Sequence, residues 1–296
     1  MCARRIESRA SRTADMTCGC RAMSFYESNP MYKGADWVAP MLLPAKIKPF
    51  VRMKLTRKLL RRVMGPQGVY EWVIARTRYI DEALIRACKE GFSQILLFGA
   101  GFDSRGVRFK AELKDMRVFE LDAPTTQKMK RDQFRVRGVE VPPNVVFVPI
   151  NFEKESVEEK LKESGFNLNQ KTLVILEGVL QYLNPEAVST TFTTIRRIVG
   201  VGSRIVFDHA YAAVLRGERT VYGQKRMIEG VDRFGESWQF GLDEVDLEKF
   251  LCTYGLLLVD KKSPKELEEM NFKGSDGEIH GRINGTQGIV TAELRS

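Results

Sequence analysis

The sequence predicts an α/β protein: one mainly parallel sheet, helices on both faces, and an N-terminal helical cap. Three observations lead there. From residue 94 onward, apolar runs of strand length alternate with helix-periodic stretches. The first run, Ile95-Leu96-Leu97-Phe98, passes directly into Gly99-Ala100-Gly101-Phe102-Asp103-Ser104-Arg105, a strand-to-helix turn in which glycine permits a sharp bend and Asp103 and Ser104 are available as caps. The second run ends on Asp122, about 20 residues past the glycines, where nucleotide-binding α/β sheets place the acid that takes ribose hydroxyls.

Taken in order, residues 1–45 read as irregular, interrupted by Asn29-Pro30, Lys33-Gly34, Pro40 and Pro44. Residues 46–64 repeat Val51, Leu55, Leu59 and Val63 at helical spacing among Lys46, Lys48, Arg52, Lys54, Arg57, Lys58, Arg61 and Arg62, with no acid between Asp36 and Glu71. Such a helix suits a lid with its apolar face on the core; a membrane surface or a polyanion is the rival. Gly65-Pro66 ends it, and a second helical pattern, 70–90, is closed by Gly91. Strands are expected near 94–98, 117–121, 145–149, 172–177, 203–208, 255–261 and 286–293. Helices are expected near 80–90, 104–113, 124–137, 153–163, 185–199 and 243–254. Residues 263–285 show no strong regular pattern, and the terminal strand suits an antiparallel return. Residues 1–90 are thus expected to cap, within one domain, a core formed by 91–296.

The chain has 296 residues, 43% hydrophobic and 29% charged, enough for one large core. No apolar run approaches the roughly 18 residues of a membrane span. The N-terminal arginines have no apolar stretch after them, and Glu7 and Asp15 oppose a transit peptide. Five scattered cysteines and two histidines offer no metal spacing, so free thiols in a reducing cytoplasm are expected. The net charge of +9 comes without a zinc-finger spacing, an RNA-binding aromatic motif or a basic tail, so nucleic acid is not the expected partner.

In an open parallel sheet, ligands sit at the carboxyl ends of the strands. Those ends carry Gly99 and Gly101, then Asp122, then Asn151 and Phe152, then Glu177, then Asp208 and His209. The set suits S-adenosylmethionine. Asp122 would take the ribose hydroxyls, Asn151 the adenine edge and Phe152 its face. Glu177 would face the ammonium or sulfonium charge, and the glycines would let the backbone pass the methionine portion. Arg76, and next Arg21, are the cations available for its carboxylate. A nicotinamide dinucleotide fits less well, because Ser104 stands where its third glycine belongs.

The combination Ser11-Arg12-Thr13-Ala14, Arg21-Ala22, Ala75-Arg76-Thr77-Arg78-Tyr79-Ile80-Asp81, the 99–105 turn, Phe119-Glu120-Leu121-Asp122 and Glu177-Gly178-Val179-Leu180-Gln181-Tyr182-Leu183 resembles the leucine carboxyl methyltransferase family. Gly235-Glu236-Ser237-Trp238-Gln239-Phe240-Gly241 is a further match. The resemblance extends to the family's broader microbial branch of S-adenosylmethionine-dependent O-methyltransferases. It implies a class I methyltransferase (Rossmann-like) fold of seven strands, the last antiparallel, with helices over the site. It also implies cofactor contacts at Arg76, Gly99, Asp122, Asn151, Phe152 and Glu177. The protein-modifying members carry aspartate where this chain has Asn151, which sets the chain apart from the branch that methylates protein C-termini.

The expected activity is therefore transfer of a methyl group to oxygen, forming a methyl ester on a small anionic carboxylate. The alternatives are a hydroxyl acceptor, with Asp208 or His209 as catalytic base, and a protein C-terminal carboxylate. A membrane- or RNA-binding protein on a methyltransferase scaffold is the non-enzyme alternative.

Overall fold

The computed structural model describes residues 12–63 and 67–295. Ser11 and the Gly65-Pro66 stop lie outside the described residues. Strands β1 (Gln94–Phe98), β2 (Arg117–Asp122), β3 (Val145–Pro149), β4 (Thr172–Leu176), β5 (Arg204–Ala210), β6 (Leu256–Lys262) and β7 (Gln287–Leu294) form one sheet in the order β3-β2-β1-β4-β5-β7-β6. Pairing from β3 through β5 is parallel, and β7 lies antiparallel between β5 and β6. The sheet is thus the seven-stranded, mainly parallel one that the apolar runs predict.

Successive side chains on a strand point to opposite faces, which sorts the core into two clusters. Ile95 and Leu97 of β1 face α1 (Arg12–Phe25) and α5 (Val69–Lys89), meeting Met23, Trp72, Ile80 and Leu84. Leu96 and Phe98 face the other way, towards Leu161 of α8 (Val157–Glu163), Phe192 of α9 (Pro185–Ile198) and Leu251 of α12 (Glu244–Thr253). Around β1 and β4 both faces are dry, so these strands read as unbroken apolar runs, whereas the edge strand β6 alternates buried and exposed residues.

Several helices differ from expectation. Residues 12–25 are not irregular but form α1, in which every residue from 18 to 24 is buried. A helix buried all round carries no amphipathic stripe, which removes the periodic signal. The basic stretch is two helices, α3 (Lys48–Arg52) and α4 (Lys54–Val63), separated by Met53 in an extended conformation; α2 (Ala39–Leu42) precedes them. The helix expected over 104–113 is a single turn, α6 (Arg105–Arg108), and α8 begins only after Ser156, whose hydroxyl caps Glu159 N–H. Helix α7 (Pro124–Val136) follows β2 as expected. Helices α10 (Ala212–Leu215) and α11 (Gln224–Phe234) occupy a region with no expected helix. Helix α13 (Pro264–Phe272) lies in the supposedly patternless stretch; Ser263 and Glu266 form its capping box, a spacing present in the sequence.

The largest departure is the orientation of α4. A lid would place Leu55 and Leu59 on the core, yet they are 81% and 62% exposed. Arg57 is buried instead, donating to the carbonyls of Val51 and Arg52 at 3.3 and 2.6 Å beside Glu27. Arg61 pairs with Glu71 at 2.8 Å and stacks 4.5 Å from the rings of Tyr32 and Tyr70. The inner face of this helix carries Arg57 and Arg61 beside Leu60, which packs against the core.

Helix α5 starts at Gly68, whose φ of +79° favours glycine. A Cβ there would lie 2.3 Å from the Asn284 amide nitrogen and 2.7 Å from the Ile283 carbonyl carbon, both backbone atoms. Gly68→Ala is therefore expected to lower stability by at least about 2 kcal/mol through left-handed strain and displacement of the 282–284 segment, as chemical denaturation would measure.

Candidate active site

The turn after β1 brings backbone up against the end of β2. Gly99 has φ +69° and Gly101 φ +49°, and a Cβ on Gly99 would stand 2.9 Å from the Val179 side chain. The Gly101 N–H donates to one Asp122 carboxyl oxygen, and the Ala123 N–H donates to the other at 2.6 Å. Burial raises the Asp122 pKa above its ordinary value, and the two backbone donors oppose that shift. The carboxyl is thereby aimed from the end of β2 into a cavity of about 330 Å³.

That cavity has one wall of strand ends and one of helix. Gly99, Gly101, Asp122 and Glu177 contribute from the sheet. Val69, Trp72, Val73 and Arg76 come from α5, and Thr13, Met16 and Arg21 from α1. Residues Tyr182 and Glu236 complete the rim, where Glu236 accepts from the Thr13 hydroxyl.

Beneath the cavity runs a chain of buried charges. Arg76 bridges Glu177 at 3.0 Å and Asp208 at 2.8 Å. Arg105 reaches Glu177 at 2.6 Å, Asp81 at 2.8 Å, and Asp103. Arg108 holds Asp81 at 2.6 Å and approaches Asp36 at 3.8 Å, and Arg21 pairs with Asp36 at 2.8 Å. Burial pushes the Glu177 carboxyl upward, but Arg105 and then Arg76 overcome it and hold the group well below the usual carboxylate range. Burial likewise opposes ionisation of Asp36, and Arg21 and Arg108 outweigh it.

Of the residues expected at the site, Arg21, Arg76, Gly99, Gly101, Asp122, Phe152 and Glu177 line one cavity. Phe152 is 43% exposed, with its ring 5.1 Å from that of Phe98. Asn151 does not line the cavity; its side-chain oxygen accepts from Glu153 N–H and its own N–H donates to Glu155. Asp208 and His209 do not line it either. Asp208 is fully buried, bound to Arg76, the Gly178 N–H and Gln287. His209 Nδ1 lies 3.0 Å from the Ala210 carbonyl, and its ring packs between Phe207 and Tyr211; burial lowers its pKa. Both are sealed from any acceptor, so the expected base role does not fit their positions. Consecutive strand residues point to opposite faces, so only one of the two can lie on the cavity side, and there Arg76 and Gln287 cover Asp208. Trp72, Thr13, Tyr182 and Glu236 were not singled out, although three of them fall within stretches that carry the family resemblance: Thr13 beside Ala14, Tyr182 after Gln181, and Glu236 after Gly235.

Comparison with known proteins bears on this geometry. A family model described as leucine carboxyl methyltransferase matches residues 16–196. YktD of Bacillus subtilis (strain 168), provisionally named an S-adenosyl-L-methionine-dependent methyltransferase, is 27% identical over 216 residues, covering 70% of this chain and 71% of its own. A relative in Mycolicibacterium gilvum (strain PYR-GCK), named in the same way, is 26% identical over 250 residues, covering 82% and 80%. The fold is similar to that of a crystal structure from Thermobifida fusca YX, provisionally described as a methyltransferase: TM-score 0.58, 15% identity, 91% of this chain and 100% of that one.

The charge chain sets a pH signature. A carboxyl whose folded pKa lies below its unfolded value contributes stability that is fully present above the unfolded value, near 4.5 for Glu177, and is lost as pH falls towards the folded one. Glu177→Gln is expected to destabilise the protein by roughly 3 kcal/mol at neutral pH, since it leaves buried guanidinium groups under-compensated. The gap to the parent should narrow below pH 4.5; thermal melts across pH that show a constant gap would remove the ionic explanation.

Proposed function

Because this chain belongs to the leucine carboxyl methyltransferase family and is an S-adenosylmethionine-dependent methyltransferase, we propose that the cavity over Gly99, Asp122 and Glu177 is where it binds the cofactor and methylates a small-molecule carboxylate. Asp122 carries the cofactor part of this reading. Two backbone N–H groups and the Thr126 side chain take up three of its roughly four acceptor positions, which leaves acceptor capacity for a ribose hydroxyl. The exposed ring of Phe152 suits the face of an adenine. Asn151 drops out of the proposed set, its oxygen being turned to the Glu153 N–H. Arg21 is a better partner for the methionine carboxylate than Arg76. Arg76 is already flanked by Glu177 and Asp208, whereas Arg21 uses one donor on Asp36 and one on the Phe102 carbonyl.

When bound, S-adenosylmethionine supplies a methyl group made electrophilic by its sulfonium. The residues of this chain then have to hold the acceptor oxygen in line and keep water away. Met16, Val69, Trp72, Val73 and Met227 offer an apolar wall for that purpose. With Asp208 and His209 sealed beneath the cavity, an acceptor that arrives already ionised is favoured, because a carboxylate needs no base. One observation supports a second reading. Glu236 lines the cavity next to Thr13, so a hydroxyl acceptor would find a carboxylate to take its proton.

Asp122→Ala is expected to weaken cofactor binding by about 1–3 kcal/mol, the scale of hydrogen bonds to a charged group. Calorimetry with an unchanged affinity would remove the ribose assignment. The transferred label separates the two acceptor classes: a methyl ester releases methanol in mild base, and an ether does not. A base-stable product abolished in Glu236→Gln would replace the carboxylate reading with the hydroxyl one.

A further inference from the structure

Helix α4 is built inside out, and the segment before it continues the pattern. Its arginines Arg57 and Arg61, four residues apart, turn inward to Glu27 and Glu71, while Leu55 and Leu59, also four apart, turn outward. Phe50 and Met53 are 53% and 57% exposed, so the apolar surface runs on across the break between α3 and α4. Lys46, Arg52, Lys54 and Lys58 are exposed among these side chains, and among the described residues none of them has a carboxylate partner. Of its leucines only Leu60 packs against the core; a helix free to choose would bury Leu55 and Leu59 as well and hydrate its arginines.

We propose that the exposed face of α3 and α4 docks on an anionic lipid surface. Charge and apolarity together select this occupant. Lysines interleaved with leucine and phenylalanine suit the headgroup boundary, where ammonium groups meet phosphates and apolar side chains enter the acyl region. A nucleic acid would use the cations but leave Leu55, Leu59, Phe50 and Met53 in water. A second copy of the same face would set cations against cations, because no acid occurs between Asp36 and Glu71. The contact is peripheral: no helix among the described residues is long and apolar enough to cross a membrane. It is anchored next to the cavity wall, since Arg61 stacks on Tyr70 at the start of α5, the helix that presents Trp72 and Arg76 to the cavity.

Flotation of the full chain with vesicles tests this, comparing phosphatidylcholine alone with phosphatidylcholine containing phosphatidylglycerol at near-physiological salt. The protein should float with the anionic vesicles and stay behind with the neutral ones. Lys54→Glu/Lys58→Glu should reduce partition at least about tenfold, from the loss of two headgroup attractions. Leu55→Ser/Leu59→Ser should reduce it by at least about tenfold as well, from the loss of inserted apolar area. Both variants change exposed side chains, so their melting temperatures and cofactor affinity should match the parent. Absence of flotation overturns the proposal. So does unchanged flotation of the leucine variant, which would make the contact purely electrostatic, as for a polyanion. A concentration-dependent dimer abolished by the leucine variant would assign the face to a second copy instead.

Discussion

Arg105 is the group on which the site depends. It is 1% exposed and stands where three elements converge: Asp103 from the turn after β1, Glu177 from the end of β4, and Asp81 from α5. Burying a guanidinium is costly unless carboxylates surround it, and three do. Burial presses its pKa down, and Asp103, Glu177 and Asp81 overcome that pressure, so the charge is retained. The same carboxylates then engage Arg76 and Arg108, and through Asp36 the chain reaches Arg21 on α1. The floor of the cavity is thus assembled by charge compensation, and the N-terminal helices are held over the sheet by the same pairs.

This arrangement explains why the expected roles of the charged residues needed revision. An arginine preceding β1 and a glutamate ending β4 are each visible in sequence as candidates for ligand contact. Their mutual pairing is a property of the assembled fold, because Arg76 and Asp208 are separated by 132 positions. Asp122 lines the cavity without a direct arginine partner, held by two backbone N–H groups and the Thr126 side chain.

The centre of the sheet was legible because parallel strands buried on both faces, β1 and β4 above all, leave unbroken apolar runs, and every one of the strands falls within a residue or two of its expected range. The glycine turn and Asp122 were legible because their chemistry depends on local spacing. Helix α1 was not, since Cys18, Gly19 and Cys20 are weak helix formers and its burial leaves no stripe. The face of α4 was misjudged for a different reason. Periodicity locates a helix and its two faces, but which face turns inward depended here on Glu27, Glu71, Tyr32 and Tyr70, residues outside the helix. Asp208 and His209 were placed correctly at the end of β5, but on side chains closed off from the cavity.

The position of β7 constrains how the chain reaches this state. β7 follows β6 in sequence yet lies between β5 and β6, so until β7 arrives β5 is paired on one side only, with β4, and β6 has no neighbour in the sheet. During synthesis the inner edge of β5, carrying Val206 and Phe207, waits with unpaired backbone while about 80 further residues are added. Completion of the sheet then waits for β7 to pair with the open edge of β5 and with β6, and the pairing with β5 is a long-range closure that is slow compared with growth of a tight hairpin. The last-made strand therefore governs how long an aggregation-prone edge is open, and chaperone dependence should be concentrated at that step.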